Sequence, residues 1–564
     1  MTLKGSRETY LPVDTARNDQ DLTSGLGATL DSLTIGKWTV VSRATGVVRV
    51  VMIGAILGPT LLGNSYQLTN SLPNLVYYGF LAGSLFSTVL VPAIVGHMDR
   101  GDRAATARVA GGFLGVALVA LTLAAPAAVV LLPQALRVVG VGANGASISD
   151  QVSLSRWLVL MVMPQVLGYA IIGTSAAAMN ARRRFALAAA APALENVAII
   201  GVLVLVGLVF SSEDTRGAVP SGELILLGLG STAAVGLHAA LQWWGAYRCG
   251  VTLRPLAGWR DPEVLGVVRR ALPSLAQSGL LALQVLTLLL VASRVPGGTV
   301  AMQIALNFYA LPIALAATPV ALSLLPRLSR LHYHRRDAEF CDTYVRGLGL
   351  VLFLTIPAVC GYLVLARPLA HVVAVGQMAT PAAISMVAWT LTAIAVGAVG
   401  QSLFFVATQA TYATGDTHTS LVAMIWQALV CVGLCTVTLG LKGVAVLVVA
   451  ASAYSVANLI GATILLIRLR RRLTDGNERL RPSLLRILIG SVVMIGPTAV
   501  TANLVTHYMP GRLGWTVGLA VAGLLGLAVF AIVQGILRSP ELSWVVRSVL
   551  GRGRGLPSLR GEPG

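Results

Sequence analysis

Long apolar runs separated by short polar gaps dominate this chain almost from end to end. They fall at roughly 35–58, 64–96, 105–133, 152–179, 185–210, 222–247, 263–294, 299–329, 343–365, 381–411, 418–440, 443–467, 483–508 and 513–537. A helix needs about 20 predominantly apolar residues to cross the hydrocarbon core of a bilayer, and each run supplies that length. Inside lipid every backbone amide must be bonded internally, which leaves helices for runs that are apolar on every face. The pattern predicts an all-α, polytopic membrane protein with about fourteen transmembrane helices. An even count puts both termini on the same side.

The polar gaps say which side. Alternate gaps carry Arg100, Arg103 and Arg108; Arg182, Arg183 and Arg184; Arg248, Arg254, Arg260, Arg269 and Arg270. The same series continues with Arg327, Arg330, Arg335 and Arg336, then Arg468, Arg470, Arg471, Arg472, Arg479 and Arg481. The gaps between them hold little positive charge: Arg137, Arg216, Arg367, Lys442 and Arg512. Cytoplasmic loops retain Lys and Arg, so the arginine-rich gaps and both termini are expected in the cytoplasm. The alternation also supports the helix count independently of hydropathy.

Composition sharpens this reading. Of 564 residues, 56% are hydrophobic and only 11% charged, against roughly 25% charged in a soluble domain. The formal net charge of +19 would point to nucleic acid in a soluble protein. Here the basic residues belong to cytoplasmic loops facing anionic headgroups, and no gap is long enough for a nucleic-acid-binding domain, so membrane lipids are the expected partners. Among the five cysteines, Cys431 and Cys435 share a helix face. No His or carboxylate accompanies them, so packing is expected rather than metal, and no disulfide framework is implied. Residues 1–34 and 539–564 are polar or rich in Arg, Gly and Pro, without a signal-peptide core; both read as disordered cytoplasmic tails.

A faint internal repeat organises the remainder. Leu72-Pro73, Val91-Pro92 and Arg100-Gly101-Asp102 are echoed by Leu311-Pro312, Leu325-Pro326 and Arg335-Arg336-Asp337. Such duplication in transporters produces lobes facing each other across a central site. The expected division is an N-terminal lobe of six helices over 35–248, a C-terminal lobe of six over 249–470, and two further helices in 471–538. Pro73, Pro164, Pro192, Pro273, Pro312 and Pro357 lie inside apolar runs. Each frees a backbone carbonyl, which is tolerated where protein or water supplies a partner.

Charge within a span is the next signal, because it is costly there and marks function by default. The first run contains Arg43 and Arg49, about 12 Å and 21 Å along a helix begun near Ile35 and pointing about 120° apart. An arginine at mid-bilayer costs at least about 2.5 kcal/mol. Guanidinium forks match phosphate oxygens bidentately, so an anionic, diphosphate-bearing substrate is expected; the alternative for each is snorkelling to an interface. Glu195, deep in the fifth run, is a candidate ion-coupling carboxyl or a structural one. Asn64, Asn307, Gln165 and Asn458 are amides within the apolar runs, of a kind that more often joins helices than binds ligand. His238, His332 and His334 are scattered and form no metal-ligand set. No hydrolase motif or nucleotide-binding loop is present, so an enzyme is not expected, and no cofactor or metal either. Transport would draw on an ion gradient, the membrane potential or downhill substrate flow.

Several short motifs occur in a telling order: Ser42-Arg43, Gly46 and Arg49; Asn70-Ser71-Leu72-Pro73-Asn74-Leu75-Val76-Tyr77; Ser87-Thr88-Val89-Leu90-Val91-Pro92; Met179-Asn180-Ala181-Arg182-Arg183-Arg184-Phe185 with Ala191-Pro192; Leu325-Pro326-Arg327-Leu328-Ser329-Arg330; and Tyr412-Ala413-Thr414-Gly415-Asp416-Thr417. The set resembles the MurJ/MviN family of flippases, in that order, from about residue 35 to 480. The resemblance implies the fold of the multidrug/oligosaccharidyl-lipid/polysaccharide (MOP) superfamily, which is MATE-like. It also implies flipping of lipid II, the undecaprenyl-diphosphate-linked peptidoglycan precursor, across the bacterial cytoplasmic membrane, with other cell-wall synthesis proteins as candidate partners. Arg43 and Arg49 fall on the family's cavity arginines. Asn64 and Asn307 stand where the family commonly carries an acid and an arginine, and are carried over as candidate substrate contacts. Tyr77 and Ala82 replace common charges, and Glu195 stands where the family often has Asn, so this cavity is less charged than the resemblance would imply.

Three other functions remain compatible with the residues alone: export of another polyprenyl-linked glycan, cation-coupled drug antiport, and a non-transporting scaffold of the cell-envelope machinery. A drug-cation site needs cavity carboxylates, of which Glu195 is the one clear candidate. A scaffold, unlike a lipid II flippase, should be dispensable for wall synthesis.

Overall fold

The computed structural model describes residues 16–77, 90–140, 145–182, 184–210, 219–470 and 477–549, and the regular structure among them is all helical. The first half forms α1 (Ala16–Leu57), α2 (Leu61–Tyr77), α3 (Val91–Asp99), α4 (Arg103–Val139), α5 (Gly145–Val162), α6 (Gln165–Ala181), α7 (Phe185–Val209) and α8 (Ser221–Arg248). The second half forms α9 (Pro262–Ala292), α10 (Gly298–Pro312), α11 (Thr318–Tyr333), α12 (Asp337–Val373), α13 (Pro381–Ala395), α14 (Gly397–Ala413), α15 (Thr417–Cys435) and α16 (Val444–Arg470). Three more helices follow: α17 (Asn477–Tyr508), α18 (Arg512–Ile536) and α19 (Pro540–Val549). Among the described residues twelve spans are long and apolar enough to cross a membrane, or thirteen with the bent pair α5–α6 taken as one. The remaining expected segment, 64–96, holds α2 and α3; residues 78–89, with Ala82, lie outside the described residues. The polar gaps cap the helices they introduce: Asp102 accepts from Ala105 N at 2.8 Å, Asp261 from Glu263 N at 2.9 Å and Asp416 from Thr419 N at 3.0 Å.

Several spans are broken, each with a local cause. The α5–α6 pair bends by 41° between Val162 and Gln165, at Pro164. Between α10 and α11 the chain makes a π turn over Ile313–Ala317, directly after Pro312. The break between α13 and α14 has no proline. There the Ser455 hydroxyl of α16 donates to Ala393 O at 2.8 Å and accepts from Gly397 N at 3.1 Å, so a neighbour's side chain enters the helical ladder. Only glycine permits this approach, because a Cβ on Gly397 would stand 2.7 Å from the Cα of Ser455.

Both ends are more helical than the composition led one to expect. The first helix begins at Ala16, within the stretch taken for a disordered tail, where Leu22, Leu26, Leu30 and Leu33 repeat at helical spacing. At the other end α19 occupies 540–549. Its proline start, the Ser539–Glu541 hydrogen bond of 2.7 Å and the packing of Leu542 and Val545 beside Phe353 and Phe530 account for it. Residues 1–15 and 550–564, the rest of the two expected tails, lie outside the described residues, as do Arg183, Arg216, Arg471 and Arg472.

Helices of the first half pack mainly on each other, as do α9–α16, while α17 and α18 pair together against α12. The halves meet where α1, α2 and α4 touch α9 and α10. One continuous core crosses this contact and contains Val50, Ile53 and Leu57 of α1 with Leu288, Val300 and Met378 of the second half. A separate core, including Leu324, Leu328, Phe340, Phe404 and Leu465, lies wholly within the second half. On the arginine-rich side, Arg108 of α4 bridges Asp261 at 2.9 Å and Glu263 at 3.1 Å, which stitches the connection between the halves to the first half.

Candidate functional site

Beneath the shared core lies a cavity of about 620 Å³, walled by α1, α2, α6, α7, α8 and α10. Arg43, Arg49, Glu195 and Asn307, singled out separately in the sequence, all line it. Arg43 is exposed and Arg49 half-buried, so neither guanidinium is locked into the core. Arg49 is held loosely. Its Nη1 stands 3.8 Å from Glu195 Oε1, beyond hydrogen-bond reach, and its Nε is buried without a partner. The Nδ2 of Asn307 is likewise buried and unpartnered. Arg49 reaches this cavity from α1 of the first half and Asn307 from α10 of the second. Asn196 ties the wall together, donating from Nδ2 to Ser42 O at 3.2 Å and Thr45 Oγ1 at 3.1 Å.

Glu195 has a fuller set of partners. Tyr169 donates to its Oε1 at 3.1 Å, and His238 Nδ1 lies 2.6 Å from its Oε2. Gln242, one turn along α8, places its Nε2 at 3.3 Å from His238 Nε2. Both residues are almost wholly buried. The histidine was legible in sequence only as one of several scattered imidazoles. Glu195 and His238 lie on different helices, and the signal that could have found them was a second titratable residue in the middle of an apolar run.

Asn64 is placed elsewhere. It is fully buried above the cavity and does not line it. Its Nδ2 donates to Ser293 O at 3.3 Å and Val295 O at 2.7 Å, and its Oδ1 accepts from Thr299 N at 3.1 Å. Its whole amide is therefore used in joining the first half to the turn between α9 and α10. Beside it Gln377 donates to Ile56 O at 2.7 Å. Gly376, at φ +56°, lies so close to α1 that a Cβ would approach Ala55 O to 2.4 Å. These contacts and the shared core form a roof that closes one end of the cavity. Gln165 and Asn458 also serve as helix joints: Gln165 donates to Thr232 at 3.2 Å, and Asn458 accepts from Gln427 at 2.9 Å.

Known proteins share both the sequence and the arrangement. The family model described as "Lipid II flippase MurJ" matches residues 53–523. A protein of Bdellovibrio bacteriovorus named "Probable lipid II flippase MurJ" is 27% identical over 529 residues, covering 90% of this chain and 95% of its own. A solved structure titled "Lipid II flippase MurJ, inward closed conformation" superposes with a TM-score of 0.65 at 18% identity, covering 92% of this chain and 99% of that one. An inward-facing multidrug resistance MATE family transporter of the MOP superfamily gives a TM-score of 0.60 at 13% identity over 77% of this chain and 96% of that one. The two structural likenesses show a MOP, MATE-like fold, and the extent of the family match decides the rest: the chain is a multi-pass membrane protein belonging to the lipid II flippase MurJ family.

Proposed function

We propose that this protein flips lipid II, the undecaprenyl-diphosphate-linked peptidoglycan precursor, across the bacterial cytoplasmic membrane by alternating access. The observation that carries the reading is the set of unsatisfied donors in a cavity roofed at one end, with Arg49 Nε and Asn307 Nδ2 both buried and unpartnered. Buried polar atoms are ordinarily bonded, and a diphosphate would supply acceptors to both halves at once. Arg43 and Arg49 hold the diphosphate, and Asn307 reaches it from the facing half. The prenyl chain stays in apolar surroundings. A groove of about 590 Å³ between α12, α17 and α18, lined by Pro357, Leu365, Met494 and Leu524 among others, offers them. Family membership supports the substrate, and the MATE-like fold supports the rocking of one half against the other.

The arginine-rich gaps orient the molecule with both termini in the cytoplasm, so the cavity belongs to the cytoplasmic side and the Asn64 roof to the outer side. Single cysteines introduced at Arg184 and Arg468 should resist a membrane-impermeant thiol reagent applied to whole cells and react after permeabilisation. Reaction in intact cells would reverse the orientation.

The function itself is tested by complementation. Cells depleted of their own lipid II flippase should resume wall synthesis when this chain is expressed. Failure at normal membrane abundance would reject lipid II as substrate in favour of another polyprenyl-linked glycan. Rescue by a cavity variant that cannot flip would favour the scaffold.

A further inference from the structure

His238 has no part in holding the diphosphate, yet it is buried against Glu195 at the edge of the cavity. We propose, resting on the flippase reading, that His238 and Glu195 form a proton-binding site coupled to the substrate. When Arg49 turns from Glu195 to a diphosphate oxygen, the pair takes up one proton from water, and His238 Nε2 carries it.

Charge balance is the first argument. With His238 Nε2 as the acceptor of Gln242 Nε2 the imidazole is neutral, and Arg49, Glu195 and His238 then sum to zero. The attraction of Arg49 to Glu195 acts across 3.8 Å with no hydrogen bond, so little geometry has to be broken for the guanidinium to turn to a ligand. Once it turns, Glu195 is a buried carboxylate without a cation, and an unpaired buried charge is costly. Protonation of the imidazole 2.6 Å away restores neutrality, with imidazolium on one side of the carboxylate and Tyr169 on the other. Histidine is the side chain able to make this exchange near neutral pH.

The second argument is Gln242. Its Nε2 donates towards the Nε2 of a neutral His238 ring, while its Oε1 is buried and has no partner. Rotation of the amide would turn Oε1 to accept from the Nε2–H of the imidazolium, giving up the 3.3 Å bond from Gln242 Nε2 to Ala188 O. A second protonation state thus has an acceptor waiting beside it. The charged and titratable groups facing the pair are Arg43 and Arg49 from α1, Tyr77 from α2 and Tyr169 from α6, with Tyr66 of α2 near Arg49 and bonded to Ser231. The half across the cavity contributes the neutral amides Gln303 and Asn307. Among the described residues lining the cavity, Glu195 is the sole carboxylate and His238 the sole imidazole.

The sign follows from the exchange. A ligand that binds with uptake of a proton binds best at low pH, where the site is already protonated, and loses affinity as pH rises, by about tenfold per pH unit over the linked range. The test uses the full chain in nanodiscs and lipid II with a shortened, soluble prenyl chain as probe. Both of its phosphates are esterified and remain ionised near neutral pH, so proton uptake reports the protein. Calorimetry in two buffers of unlike ionisation enthalpy should show about one proton bound per ligand, with the tenfold pH dependence in Kd. His238→Gln should bind with a buffer-independent enthalpy and a flattened pH profile. Glu195→Gln removes the charge that calls for the proton and should do the same, so either variant that folds suffices. Buffer-independent binding by the wild type, or undiminished proton uptake in a folded variant, would overturn the coupling. No lipid II binding at all by folded wild type would overturn the flippase reading and this site with it.

Discussion

Arg49→Ala should abolish flipping while the protein remains in the membrane. Losing a charge-assisted hydrogen bond costs roughly 1.5–3 kcal/mol, or about 10- to 150-fold in substrate binding. Two features make the loss specific. Among the described residues Arg49 forfeits only a 3.8 Å ion pair, and Glu195 keeps Tyr169 and a His238 that can take up the balancing proton when the guanidinium is removed. Removing a charge from a spanning helix also eases insertion, so misfolding is not the expected cause of failure. Arg49→Lys should recover activity only in part, because an ammonium is a point charge and cannot present two parallel donors. The measurement is outer-leaflet accessibility of lipid II at matched membrane abundance. Flipping at the wild-type rate by Arg49→Ala would remove this residue from the substrate site and leave Arg43 as the arginine of the cavity.

Asn64→Ala should act on a different step. The substitution leaves Thr299 N, bonded at 3.1 Å in the roof, without its partner, and takes from Val295 O one of its two donors, with Gly298 N remaining. An orphaned buried polar group costs about 1–3 kcal/mol. A loss of even about 2 kcal/mol from the roofed state moves the balance between roofed and opened forms by roughly 30-fold. A single cysteine at Gln303 in the cavity of an otherwise cysteine-free chain reports that balance. Its labelling by an impermeant reagent from outside should rise in the Asn64→Ala background, with no change in abundance. Labelling as low as in the parent would show that the roof holds without Asn64.

The sequence disclosed the spans because bilayer thickness imposes a length that hydropathy alone can count. It disclosed four of the cavity residues because charge or amide in an apolar run is conspicuous. What it withheld depends on contacts between distant segments. Ser455 breaks the tenth span from a neighbouring helix, and nothing within 381–411 announces it. Proline proved an uneven guide: Pro164 sits at a bend and Pro312 precedes a π turn, while Pro73, Pro192, Pro273 and Pro357 stand within continuous helices. Asn64 and Asn307 look alike in sequence, yet one is saturated by backbone in the roof and the other lines the cavity with a buried, unpartnered Nδ2. His238 gains its meaning only from Glu195, which α7 brings to within 2.6 Å. The amphipathic stretches at either end are too polar to count as spans, so their helices went unrecognised.

The π turn at Ile313–Ala317 has a consequence for how this protein can evolve. A π turn accommodates one residue more than an α-helical turn, and each residue advances a helix by about 100°. The portion before it carries Asn307 on the cavity wall and Tyr309 in the shared core; the portion after it sets Leu324 and Leu328 into the core of the second half alone. A single-residue deletion at this turn would swing those leucines through about a quarter of a revolution and leave Asn307 where it is. Natural variants of one length are therefore expected to be tightly fixed here, whereas paired changes, a deletion with repacked partners on α12 and α14, offer a route by which the second half could be re-aimed against the first without disturbing the residues that meet the substrate.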